Sequence, residues 1–220
     1  MFISDVHTWS ENTFGHCSLG DARRMKRLVK MAASLARNIG LSVVKSSDDE
    51  SQVEGAYRLL RNTQLMSQDI AEDGFSATAA LVKNEGTLLA LEDATSLNFN
   101  HSVKEALGYI GPTSQKKKRR QVHSVLLLNA KSKETVGLIE QTRWLRQASK
   151  LATKNQRAAQ DYRDKESFKW QRSSEAMATR LGDTLRHTIA VCDRESDVYE
   201  YMHYKISRQQ RFVLRTHYNR

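Results

Sequence analysis

Apolar residues recur at helical spacing through the first third of the chain. Met25, Leu28, Val29, Ala32, Leu35 and Ala36 form one stripe, with Asp21 placed to cap the helix and Gly40 to stop it. Its other face carries Arg23, Arg27, Lys30 and Arg37. Ser47-Asp48-Asp49-Glu50 fits a capping box, with Ser47 as the cap. The helix it starts puts Val53, Ala56, Tyr57 and Leu60 on one side, and Arg58 and Arg61 on another. Ile70, Gly74, Ala77 and Leu81 predict a third helix from about Ser67 to Lys83. At Thr87 the pattern changes. Thr87 to Asp93 is a short apolar run ending in acids, as in a buried strand. Val122 to Ala130 and Thr135 to Thr142 predict a hairpin across Lys131-Ser132-Lys133-Glu134. A helix from about Lys165 to Leu181, a strand Thr188 to Asp193, a helix Ser196 to Ser207 and a strand Arg211 to Arg215 follow. The order β, β, β, α, β, α, β predicts an α/β core with parallel pairing where helices separate the strands.

Composition narrows the class. The 220 residues are 39% hydrophobic and 27% charged, which excludes wholesale disorder. No apolar run reaches the roughly 18 residues of a membrane span. The start, MFISDVHTWS, does not read as a signal peptide. Two cysteines, Cys17 and Cys192, make neither a disulfide framework nor a zinc cluster, and the cytoplasm is the expected compartment. The net charge of +10 divides as −1 over residues 1–80, +6 over 81–150 and +5 over 151–220. Two clusters stand out: Arg23, Arg24, Lys26, Arg27 and Lys30 on the first helix, and Lys116 to Arg120. Each is either a solvated face or a nucleic-acid contact.

Two aspartates, Asp93 and Asp193, each follow an apolar strand. A carboxylate at a buried strand end is costly unless paired, and a divalent cation is one possible partner. Two neighbouring strands could bring both around metal ions that clamp a phosphodiester displacement. Asp as a turn or cap residue is the plainer alternative. Glu92 points to the opposite face from Asp93 and reads as structural or surface. His123 reads as a core histidine and Cys192 as a small buried hydrophobe. Asp197 could pair with Arg194 or cap the following helix.

Several blocks, in order, resemble the bacterial DDE transposases of the insertion-sequence-four group. They are Leu19-Gly20-Asp21-Ala22-Arg23-Arg24, Glu54-Gly55-Ala56-Tyr57-Arg58, Leu91-Glu92-Asp93-Ala94-Thr95-Ser96, Val122-His123-Ser124-Val125, Lys165-Glu166-Ser167, Ala190-Val191-Cys192-Asp193-Arg194-Glu195 and Arg211-Phe212-Val213 with Arg215. The resemblance implies a helical domain, residues 1–67, that binds transposon-end DNA, and an RNase H-like catalytic core, residues 68–220. It implies that Asp93 and Asp193 are two acids of a catalytic triad holding Mg²⁺, with Mn²⁺ as substitute. The activity implied is cut-and-paste transposition by phosphodiester hydrolysis and strand transfer. The partners implied are double-stranded DNA, both inverted repeats and target, and a second copy in a synaptic dimer. Arg23, Arg24, Lys26, Arg27, Lys30, Arg58 and Arg61 would face the DNA, and Arg215 would lie near DNA or the active site.

The family's third acid, a glutamate in a Tyr-x-x-Arg-x-x-x-Glu pattern, has no match among the 220 residues. The core is therefore expected to be incomplete at its C-terminal side. Two alternatives to a transposase region remain open: an end-binding fragment that competes with intact transposase, and an inactive insertion-sequence remnant.

Overall fold

The computed structural model describes residues 5–83, 86–98, 119–145 and 159–217. It divides into two units, Met1–Val82 and Lys83–Arg220.

The first unit is helical: α1 (Val6–Phe14), α2 (Ala22–Arg37), α3 (Val43–Ser46), α4 (Glu50–Leu60) and α5 (Ser67–Leu81). Asp21 caps α2 as the spacing predicts, its carboxylate accepting from the Arg23 amide at 2.8 Å. The α4 cap falls two residues later than the capping box suggests. Asp49, not Ser47, accepts from the Gln52 amide, and Gln52 Nε2 donates back to Asp49 at 3.0 Å. Ser47 instead closes α3 by donating to the Val43 carbonyl. Gln52, Ala56 and Leu59 are the buried residues of α4, whereas Tyr57 and Leu60 of the expected side are exposed. The core gathers Cys17, Leu19, Leu28 and Leu59, with Phe14, Met31, Leu65 and Ile70 against it. Burying a leucine of this kind contributes about 2 kcal/mol.

The second unit is built on a five-stranded mixed sheet in the order β3-β2-β1-β4-β5. Its strands are β1 (Leu88–Asn98), β2 (Arg119–Asn129), β3 (Thr135–Trp144), β4 (Thr188–Cys192) and β5 (Arg211–Leu214), with helices α6 (Lys169–Leu181) and α7 (Tyr199–Ser207) between the later strands. The three first strands pair antiparallel, and β1, β4 and β5 run parallel. The element order read from the sequence is the one observed. The strand carrying Asp93 is longer than its apolar run, because pairing with β2 continues to Asn98 opposite Arg119. The polar residues past Asp93 satisfy the ladder without being buried on both faces. The helix expected from Lys165 begins at Lys169, after two 3-10 turns. Residues Lys116 to Lys118 and the loop at Pro112 lie outside the described residues.

Alternation along the strands separates two faces of the sheet. Leu88, Ala90, Glu92, His123, Val125, Leu127, Ala190 and Cys192 are buried. On α6 and α7 the buried side chains are Lys169, Trp170, Ser173, Ser174, Met177, Leu181, Tyr201 and Lys205. Trp170, Tyr201, Ala190 and Cys192 form the core of this layer. The other face carries Leu91, Asp93, Ser124, Ile189 and Val191, all half-buried or exposed.

Candidate functional site

Two sets of candidate residues stand on separate units. The first is the basic face of α2 and α4. Its members differ in how they are held. Arg23 is ion-paired to its own cap, Asp21, at 3.1 Å. Arg24 donates to the Leu19 carbonyl at 3.1 Å and to Gln64 Oε1 at 2.9 Å, tying α2 to the loop after α4. Arg58 pairs with Glu54 one turn before it on α4. Arg61 lies over the Tyr57 ring, 5.3 Å from its centroid. Lys26 and Lys30 are exposed. Hydrogen bonds from Ser51 and Gln52, and then the charge of Lys30, hold the Asp49 carboxyl low, at about 2. Arg27 is half-buried in a groove that it lines with Lys30, Ser34, Ser46, Gln52 and Ala56. Arg24 and Arg58 are thus braced by their neighbours, whereas Lys26 and Lys30 are exposed.

The second set lies where the parallel strands end. The β1–β4 register runs to Glu92 opposite Cys192. Asp93 and Asp193 each follow one residue later, and both are exposed. Asp193 caps the turn Arg194–Ser196, one carboxylate oxygen accepting from the Glu195 amide at 2.9 Å. Its plainer role as a cap is therefore real, and its other oxygen is left over from that bond. Arg215 follows β5, and its amide donates to the Cys192 carbonyl at 3.2 Å, placing Arg215 beside the end of β4. Asp93 lies across from Ser124, which accepts from Gln141 Nε2 at 3.0 Å, and Gln141 in turn accepts from Arg143. Ser124, Gln141 and Arg143 form a polar row that the sequence reading does not single out. Its one signal is the interruption of apolar β2 by a serine on the face of Asp93. Among the described residues, no three histidine, cysteine, aspartate or glutamate side chains form a ready metal cluster.

Behind Asp93 is a feature larger than the sequence suggests. Glu92 is not a surface residue: it is buried at 3% exposure. Ser173 Oγ donates to Glu92 Oε2 at 3.0 Å and stands 3.1 Å from His123 Nε2. His123, fully buried, packs edge-on against Trp170. Lys205 is also fully buried; burial pushes its ammonium down, and the charge of Glu92 opposes that. Cys192 is the small buried group expected, its thiol pushed up to about 12, chiefly by burial and then by Glu92. Asp197 is not the cap of the following helix, a place taken by Val198; its Oδ2 accepts from the His217 amide at 2.7 Å. No period-2 pattern distinguishes a buried glutamate from an exposed one, which is why the sequence alone does not reveal Glu92.

Residues 6–65 match the family model of transposase DNA-binding domains. The match spans α1 to α4 and therefore the whole basic face. It supports a transposase N-terminal region with DNA as its partner. Among the described residues, no helix is long and apolar enough to cross a membrane.

Proposed function

We propose that this chain is the end-binding and core region of a cut-and-paste DDE transposase of the insertion-sequence-four group, nearest the transposase of transposon five. The observation that carries the reading is the basic face of α2 and α4 inside the segment that matches transposase DNA-binding domains. Lys26, Arg27, Lys30 and Arg61 contact phosphates of the terminal inverted repeat. Arg23, Arg24 and Arg58 add charge while bracing the helices. Such contacts position the duplex and make binding salt-dependent.

The sheet unit is read as an RNase H-like core, on the β3-β2-β1-β4-β5 order with an antiparallel first half. Support for the acidic site comes from Asp93 and Asp193 at equivalent positions past the last rung of β1 and β4. Their donor chemistry fits a hard cation: exposed carboxylate oxygens, with one oxygen of Asp193 already engaged by a backbone amide. Asp93 and Asp193 would hold Mg²⁺, or Mn²⁺. Such a cation would supply activation of water or a 3′-hydroxyl and charge compensation at phosphorus. Arg215 adds positive charge beside the same strand ends, where a DNA phosphate would lie. The third carboxylate of the family pattern is not within residues 1–220, so these residues hold two of three acids. A second reading is an end-binding module that occupies transposon ends without cutting them, which needs only the basic residues of the segment that matches transposase DNA-binding domains.

A gel-shift titration against the terminal inverted repeat of the parent element, beside a scrambled duplex and at two salt concentrations, tests the proposal. Selective binding that weakens with salt is expected. Equal, weak retention of both duplexes contradicts it and leaves only bulk charge. Mn²⁺ added to the bound complex separates the two readings, since nicking that Asp93→Asn abolishes requires an active core.

A further inference from the structure

Gly55 lies inside α4, where a glycine ordinarily weakens a helix. Its backbone has no need of a left-handed conformation. The reason for it is a neighbour. A side-chain carbon built on Gly55 would stand 2.5 Å from Arg27 Nη1 and 2.6 Å from Nε, and closer still to Cζ. A point nearest Cζ and almost equally far from two nitrogens lies above the guanidinium plane. Arg27 therefore lies flat against α4 at the one position without a side chain.

We propose that Gly55 is a positioning residue: it lets α4 serve as a platform on which the Arg27 guanidinium is fixed, edge outward, for a DNA phosphate. The inference rests on the reading of α2 and α4 as the DNA face. The geometry leaves the planar fork of N–H donors intact while covering one of its faces. Arg23, Arg24 and Arg58 already have side-chain or carbonyl acceptors, whereas Arg27 has none among the described residues. A fork fixed before binding loses less side-chain freedom when it meets a phosphate. The three atoms nearest an added methyl group all belong to the flexible end of Arg27, so the guanidinium is what it displaces first.

The test is a double-mutant cycle on the full chain, with the inverted-repeat duplex as probe. Arg27→Ala is expected to weaken binding on the order of tenfold and to lower the salt slope by about one. Gly55→Ala is expected to do nearly the same with unchanged or higher Tm, since alanine favours helix. The double variant should be no weaker than Arg27→Ala alone. Gly55→Ser, carrying the same added carbon, should repeat the result, and circular dichroism confirms that each variant is folded. If Arg27→Ala weakens binding while both Gly55 variants bind as the parent does, the platform is wrong and the DNA face stands. If Arg27→Ala binds as the parent does, Arg27 is not on the DNA face and both ideas fall at this residue.

Discussion

The two units handle polarity in opposite ways. In the helical unit the buried polar residues described are Ser10, Ser34, Ser46, Gln52 and Thr78, all small or uncharged. In the sheet unit they include Glu92, His123, Glu140, Lys169 and Lys205. The helical unit keeps its cations outside, on α2 and α4, where a polyanion can reach them. The sheet unit places ionisable groups under its strands, where only protein can reach them. Net charge by segment conceals this, because the sheet unit has the larger basic excess and the helical unit almost none. Where charge stands relative to the surface, not how much there is, separates a binding face from a structural network.

That contrast can be broken by substitution. The largest effect is expected from Glu92→Ala, which removes one of the two acceptors of Ser173 and the counter-charge near Lys205. Breaking such a buried set costs about 3–5 kcal/mol. Leu28→Ala in the helical core should cost about 3 kcal/mol, from lost burial and the cavity left behind. Urea titration measures both, and alkylation of the cysteines assigns each loss to a unit. Cys17 and Cys192 are both buried, with thiols pushed up to about 12 by burial, so neither reacts while its unit is folded. Glu92→Ala should expose Cys192 at lower urea, and Leu28→Ala should expose Cys17. If Glu92→Ala leaves the reactivity of Cys192 unchanged, the buried network is dispensable.

The thiols also set an alkaline limit. Their folded pKa values are raised, so their contribution is complete below the unfolded thiol range. It falls as pH rises through about 9 toward 12, as thiols of the unfolded chain ionise first. Cys192→Ala should flatten that fall for the sheet unit alone, measured by melting between about pH 8 and 10.5. At the acid end, the α4 cap gives the opposite sign. The Asp49 carboxyl sits low, at about 2, so its advantage over the uncharged amide of an Asp49→Asn variant exists above about pH 4. That advantage should vanish as pH falls to about 2. The smallest effect is expected from Glu54→Ala: its pair with Arg58 is exposed on both sides, and less than about 0.5 kcal/mol should be lost. A larger loss would mean that surface charge also holds the helical unit together.

Legibility in the sequence follows the same division. The helix of the basic face is readable because a cap, an apolar stripe and a charged face coincide in Asp21 to Arg37. The next helix is readable as an element but not in its facing. Leu59 and Leu60 are adjacent leucines, and only packing against Cys17, Leu19 and Leu28 decides that Leu59 is the buried one. The strands and their order are readable from apolar runs, but their ends are not, since pairing past Asp93 depends on β2 rather than on β1's own residues. Asp93 and Asp193 are visible as acids ending apolar runs, and the register sets them at equivalent positions. The network of Glu92, His123, Ser173 and Lys205 is invisible. Its members come from β1, β2, α6 and α7, and only the fold brings them together. The close contact of Gly55 with Arg27 is of the same kind.

On the proposed function, the cations of α2 and α4, not the basic excess of the sheet unit, meet transposon-end DNA. Photocrosslinking an inverted-repeat duplex to the full chain, followed by mass spectrometry of the linked peptides, tests it most directly. Crosslinks are expected within residues 22–37 and 50–61, lost first as salt rises. Crosslinks confined to residues 83–220, with the α2 and α4 peptides unmodified, would contradict it.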